Sequence, residues 1–128
     1  MIESMAPRTE IRLAGEGGQG MILAGIILAE AAAIYDGKMA IQTQSYGPEA
    51  RGGASKSEVV IAAGEIDHPE VLAPDVVVTL SQEAYDKYAV SLKPGGMLIV
   101  DDEKVHHIRQ TEAVKIPISR LAFETTGR

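Results

Sequence analysis

Apolar residues in this chain come in short runs, and the spacing within each run predicts a different element. Glu10 to Ala14 (EIRLA) reads as a short strand that runs directly into the turn Gly15-Glu16-Gly17-Gly18-Gln19-Gly20. From Gly20 to about Tyr35 the sequence MILAGIILAEAAAIY is helical in composition, with apolar residues almost all round and Glu30 as its only charge. Such a pattern predicts a helix buried on more than one face. Ala24, Gly25 and Ala29 would let another backbone come close, and Asp36-Gly37 supplies the glycine that commonly follows a helix end. Lys38 to Tyr46 (KMAIQTQSY) reads as the second strand. Strand, helix and strand fit the about 30 residues of a βαβ unit, which predicts a parallel pair with a right-handed crossover.

A second glycine turn, Tyr46-Gly47-Pro48-Glu49-Ala50-Arg51-Gly52-Gly53, leads to a third strand, Ser55 to Ala63 (SKSEVVIAA). That gap is too short for a crossover helix, so the third strand should be antiparallel to its neighbour or an edge excursion. After a turn at Gly64-Glu65 and an extended piece at Ile66-Asp67-His68, Asp75 to Leu80 (DVVVTL) has the continuous apolar run of a strand buried on both faces. Ser81 is placed to cap a helix through about Ser91, with acid in its first turn. The turn Lys93-Pro94-Gly95-Gly96 precedes a strand from Met97 to Val100, and Asp101-Asp102-Glu103 is expected to be a solvated strand end. A further apolar piece, Ala113 to Ile118, precedes Ser119 and an element expected to be barely begun at Gly127-Arg128. The fold class predicted is α/β: a three-layer Rossmann-like sheet, mainly parallel with an antiparallel excursion, with helices on both faces. Residues 1–128 are expected to form one domain that lacks its C-terminal helical part.

Composition narrows the function. A net charge of −6 and an aromatic content of 4% argue against nucleic acid, which needs cationic surface and stacking platforms. The absence of cysteine removes disulfides, iron–sulfur ligation and thiolate chemistry from this chain. Met21 to Ala29, the most apolar stretch, falls short of the ~20 residues that span a bilayer. Met1 to Arg8 does not read as a leader, so no membrane partner and a cytoplasmic location are expected. His68, His106 and His107 lack the i, i+4 spacing of helix-borne metal ligands and are expected at the surface; no metal site is predicted.

Gly15, Gly17 and Gly20 satisfy G-x-G-x-x-G between a strand and a helix. A dinucleotide site should also offer Asp or Glu at the end of the second strand, where this chain has Gln42, Thr43, Gln44 and Ser45. Glu16 adds a carboxylate inside the loop itself. Two readings stay open on these residues: glycines that allow tight strand-to-helix packing, or amides at a helix N-terminus that receive an anion. No residue stands out as a catalytic group.

The two loops together carry a resemblance. Gly15 to Gly20, the helix ending in Leu28-Ala29-Glu30-Ala31, and Gln44-Ser45-Tyr46-Gly47-Pro48-Glu49-Ala50-Arg51-Gly52-Gly53 resemble the gamma subunit of 2-oxoacid:ferredoxin oxidoreductases. The similarity continues through Ser55 to Ile61, Asp75 to Leu80 and Lys93 to Val100. Gln42-Thr43-Gln44-Ser45-Tyr46, with Ala54-Ser55 after the double glycine, is most similar to the 2-oxoglutarate branch; pyruvate and 2-oxoisovalerate branches are neighbours. The resemblance implies a multisubunit enzyme that decarboxylates a 2-oxoacid oxidatively, joins the acyl group to coenzyme A and reduces ferredoxin or a similar carrier. It implies alpha, beta and delta partner subunits, with thiamine diphosphate and iron–sulfur clusters on those partners and no cofactor bound by this chain alone. Homo-oligomers of the isolated chain are a further expectation.

For this chain the resemblance implies no catalytic residue but a share of the coenzyme A site at a subunit interface and a part in closing the active site. Its candidate residues are Gly17, Gly18, Gln19, Gly20, Ser45, Tyr46, Arg51 and Gly52. Arg51 suits a phosphate or carboxylate bidentately, or an ion pair with Glu49 or a partner's acid. Tyr46 offers a hydroxyl to the ligand or to a subunit interface. A purely structural subunit, and a stand-alone nucleotide-binding enzyme, are the alternatives from other classes.

Overall fold

The computed structural model describes residues 7–45 and 54–127. Six strands, β1 (Arg8–Glu16), β2 (Met39–Ser45), β3 (Ala54–Ala62), β4 (Val76–Thr79), β5 (Met97–Asp101) and β6 (Val114–Ile116), form one sheet in the order β2-β3-β1-β4-β5-β6. β1, β4, β5 and β6 are parallel neighbours, whereas β3 runs antiparallel to both β1 and β2. The α/β class, the largely parallel sheet and the antiparallel third strand are as expected. The expected β1–β2 pair is not: β3 lies between them, with Leu13 opposite Ser57 on one side and Gln44 opposite Ser57 on the other. Burial explains the order. Val59 and Val60 project to opposite faces and both are fully buried, so β3 belongs inside the sheet, while β2, with Gln42 to Ser45, tolerates the edge.

Strand alternation assigns the faces. Leu13, Gly15, Ser55, Ser57 and Gln42 share one face, beneath helix α1 (Met21–Glu30), which packs across β1, β2 and β3. Arg12, Ala14, Val77, Thr79, Leu98 and Val100 share the other, beneath helix α2 (Gln82–Tyr88). The main apolar core is on the α2 side, where Val77, Tyr85, Ala89, Leu98, Val100 and Val105 close together. Tyr85 is fully buried, and its hydroxyl accepts the Arg109 amide at 2.7 Å and donates to Gln110 Oε1. Ser81 caps α2 as predicted, its hydroxyl accepting the Ala84 amide at 3.1 Å, with Glu83 in the first turn.

α1 departs from expectation. Gly25 is its one fully buried residue, and Leu23, Ile26 and Ile27 stay exposed, so the helix packs on one side rather than on several. Nothing among the described residues covers its outer side. The helix continues as a π-helical turn over Ala31–Tyr35 and stops at Asp36 and Gly37, the latter at φ 65°.

The acidic end of β5 is also not the solvated terminus expected. Asp102 and Glu103 are exposed, but Asp101 is fully buried. Its carboxylate accepts the amides of Ser119 (2.8 Å), Glu103 (3.0 Å) and Lys104 (3.2 Å). Burial pushes the Asp101 carboxyl up, and these donors outweigh it, leaving the group below the usual carboxylate range. The Ser119 contact anchors the start of helix α3 (Ile118–Thr126), a formed helix of nine residues rather than an element barely begun.

No helix among the described residues is long and apolar enough to cross a membrane.

Candidate functional site

The first glycine turn folds back over the end of β1. A Cβ at Gly15 would come within 2.4 Å of Gln19 Oε1 and 3.3 Å of Leu80 Cβ and Met21 Cγ, so a larger residue there would displace the Gln19 side chain. Gly18 (φ 89°) and Gly20 (φ 83°) occupy the left-handed region, where a side chain is strained. Gly17 differs from all three. Its φ is not positive, and a Cβ there would meet nothing within 4 Å. Among the described residues, neither packing nor backbone geometry requires glycine at that position, and the main chain there is open.

What it opens onto is a groove of about 290 Å³ lined by Glu16, Gly17, Gly18, Gly20, Met21, Ile22, Leu23 and Ser55. Met21, Ile22 and Leu23 form the first turn of α1, whose amides have no acceptor inside their own helix. No acidic side chain lies in that turn to neutralise the partial positive charge of the helix end. Ser55, which sits opposite Gly15 in the β1–β3 register, donates its hydroxyl to the Gly15 carbonyl at 3.3 Å from within the groove wall. Amides, one hydroxyl and an apolar flank suit a polar, extended ligand with hydrogen-bond acceptors. Glu16, exposed at the rim, discourages a bare anion beside it.

The expected site residues separate. Gly17, Gly18 and Gly20 line the groove together. Gln19 does not line it: its side chain accepts the Glu16 amide at 2.6 Å and donates to the Leu80 carbonyl at 3.0 Å. Ser45 pairs with Lys56 and is therefore on the opposite sheet face from Ser55, exposed at the end of the edge strand. Tyr46, Arg51 and Gly52 lie outside the described residues. Ser55 was not among the expected site residues; its signal in sequence is its place as the second residue of the strand that pairs with the glycine loop's own strand.

A second hollow, of about 420 Å³, lies on the α2 face between Thr43, Lys56, Glu58 and Pro69 to Leu72. Beneath it Arg12 donates to Glu58 Oε2 (2.5 Å), Ser91 Oγ (2.6 Å) and the Val71 carbonyl (2.7 Å). Lys56 also reaches Glu58, at 3.2 Å, and its ammonium lies 5.5 Å from the Tyr88 ring centre. These charges satisfy one another and brace the 66–74 segment against the sheet. The Asp75 carboxyl, at the start of β4, is pushed up by burial, and this is outweighed by donation from Lys93 and the Glu10 amide, so it too lies below the usual range. His68, His106 and His107 are exposed as expected. Among the described residues no group of three or more His, Asp or Glu side chains is arranged to hold a metal ion.

The pattern of the family described as pyruvate ferredoxin/flavodoxin oxidoreductase matches residues 10–128. A 2-oxoglutarate synthase subunit KorC from Methanocaldococcus jannaschii is 59% identical over 121 residues, covering 91% of this chain and 65% of the relative. Among solved structures, the gamma subunit of a keto/oxoacid ferredoxin oxidoreductase from Geobacter sulfurreducens superposes with a TM-score of 0.82 at 50% identity, over 96% of this chain and 68% of that one. The 2-oxoglutarate:ferredoxin oxidoreductase of Magnetococcus marinus, with 2-oxoglutarate, coenzyme A and succinyl-CoA bound, superposes with a TM-score of 0.77 at 26% identity, over 91% of this chain and 21% of that one. The chain thus spans about two thirds of the length of the curated 2-oxoglutarate synthase relatives it matches.

Proposed function

Because the chain belongs to the pyruvate ferredoxin/flavodoxin oxidoreductase family, we propose that it is the gamma-type part of a 2-oxoglutarate:ferredoxin oxidoreductase and forms one wall of its coenzyme A site. In the reaction the bond between the carboxylate and the oxo carbon breaks, carbon dioxide leaves, and electrons pass to ferredoxin. The acyl carbon then joins the coenzyme A sulfur, and the thiol proton is lost. Thiamine diphosphate would supply the carbanion chemistry and iron–sulfur clusters the electron path, both on alpha, beta and delta partners. This chain, with no cysteine, offers no thiolate to hold a cluster. Its own contribution is binding and closure: the open main chain at Gly17, the first-turn amides of α1 and the Ser55 hydroxyl receive the oxygens and amides of the pantetheine or phosphate region. The observation that carries this reading is Gly17, a glycine for which the described residues give no internal reason. The choice of 2-oxoglutarate follows the relatives' names and the run Gln42 to Tyr46.

Gly17→Val tests it. Among the described residues a Cβ at this position meets nothing within 4 Å, so the fold of the chain should tolerate the substitution. In the assembled complex the KM for coenzyme A should rise about tenfold or more, on the scale of one displaced ligand contact, while the KM for 2-oxoglutarate stays the same. Unchanged coenzyme A kinetics would remove this groove from the site.

A purely structural role is the second reading, and one feature favours it. Leu23 (61%) and Ile27 (56%) on α1, with Ile34 (69%) and Tyr35 (85%) on the turn that continues it, leave broad apolar surface exposed, as a subunit contact would require. Normal coenzyme A kinetics in Gly17→Val, together with failed assembly when these residues are made polar, would select it.

A further inference from the structure

We propose that Gln19 is the positioning residue of the glycine loop, holding the Gly17–Gly20 main chain in the shape that receives the ligand; this rests on reading the groove as part of the coenzyme A site. One side chain ties together two strand ends. Gln19 Oε1 accepts the Glu16 amide at 2.6 Å, at the end of β1, and Nε2 donates to the Leu80 carbonyl at 3.0 Å, just past β4. The Leu80 end is anchored: the residue is 3% exposed and its amide donates to the Ala14 carbonyl at 3.0 Å. Among the described residues, Cβ atoms placed at Gly17, Gly18 or Gly20 meet nothing within 4 Å, and the other hydrogen bonds on the loop are the Gln19 amide to the Glu16 carbonyl at 3.2 Å and the Ala24 amide to the Gly20 carbonyl at 2.9 Å, the latter from α1.

The chemistry requires glutamine. A donor and an acceptor are needed at one side-chain tip, at a reach that asparagine lacks and with a hydrogen that glutamate does not offer at neutral pH. Gly15 completes the device. It leaves empty the space where a Cβ would stand 2.4 Å from Gln19 Oε1. A glycine in the strand and a glutamine in the turn are therefore one unit, and Gln19 acts on the ligand through the loop rather than by contact.

The test compares Gln19→Met, Gln19→Glu, Gly15→Ala and Gly17→Val in the assembled oxidoreductase. Gln19→Met should raise the KM for coenzyme A about tenfold, the effect expected from losing two hydrogen bonds that hold one loop conformation. The kcat at saturating coenzyme A and the KM for the oxoacid should change less than about twofold. Gln19→Glu, which keeps the acceptor for the Glu16 amide but sets a carboxylate oxygen against the Leu80 carbonyl, should raise the KM for coenzyme A at least as far as Gln19→Met. Gly15→Ala should mimic Gln19→Met and add little to it in the double variant. If Gly17→Val raises the coenzyme A KM but Gln19→Met does not, the positioning role is overturned and the coenzyme A reading stands. If neither changes it, the coenzyme A reading itself falls and takes this proposal with it. A Gln19→Met enzyme that loses kcat and both KM values together has a collapsed loop, which also overturns the specific role.

Discussion

Gly25→Leu should unfold α1 from the sheet, lowering stability by about 3 kcal/mol and the midpoint of thermal unfolding by roughly 10 °C. The reason is contact distance. An ideal Cβ at Gly25 would stand 1.9 Å from Ser57 Oγ and 3.0 Å from Ser57 Cβ, with Gln42 Cγ at 3.5 Å. Ser57 cannot retreat, because it is fully buried in the interior strand β3 and its hydroxyl accepts Gln42 Nε2 at 3.0 Å. Leucine is a good helix former, so the loss would report on steric exclusion rather than on helix propensity. Gly25→Ala should cost less, and Ser57→Ala in the same chain should recover part of the loss by removing the nearest atom. Differential scanning calorimetry of the three variants measures this. A Gly25→Leu protein as stable as the parent would mean that α1 does not lie this close to β3.

Arg12→Leu should be comparably damaging, at about 3–5 kcal/mol, because it strands a buried carboxylate. The Arg12 and Glu58 side chains are 7% and 10% exposed, and Arg12 also serves Ser91 and the Val71 carbonyl. Removing the guanidinium leaves Glu58 with Lys56 alone and deprives the 66–74 segment of its tie to the sheet. Arg12→Lys should not substitute, since one ammonium cannot reach acceptors on three elements in the planar arrangement that arginine provides. Adding Glu58→Leu to Arg12→Leu should restore much of the loss, as replacing both charges removes the desolvation penalty. Urea unfolding of the single and double variants forms the cycle. Equal losses in the single and double variants would show that the penalty is not an unpaired charge.

Much of this architecture was legible in the sequence because it is written in local pattern. β4 and β5 announce themselves as apolar runs, Ser81 as a helix cap, and the short gap after β2 as a sign that β3 pairs antiparallel. What misled was the neighbour rule for βαβ units. It paired β1 with β2, whereas the valines of β3, apolar toward both faces, claimed the interior position and left the glutamine-rich β2 at the edge. Asp101 was misread for a similar reason. One partner, the Ser119 amide, comes from a segment that local pattern does not bring to the end of β5, while the Glu103 and Lys104 amides, two and three residues on, close a local turn around the carboxylate.

The glycine loop divided in the same way. G-x-G-x-x-G marks the turn, but it does not separate a glycine whose Cβ would press on Gln19 (Gly15), glycines at left-handed backbone angles (Gly18, Gly20) and one that the described residues leave open (Gly17). Those three cases differ only in what surrounds each Cα. Gln19 looked like a binding residue because it sits among them; its two hydrogen bonds instead go to the strand ends that carry the loop.

Amide hydrogen exchange on the assembled complex tests the central claim most directly, because it reads the main chain that the ligand is held to contact. With saturating coenzyme A, the amides from Gly17 to Leu23 should exchange several-fold more slowly, while those of the exposed β2 edge strand keep their rates. Identical exchange across residues 17–23 with and without coenzyme A would contradict it.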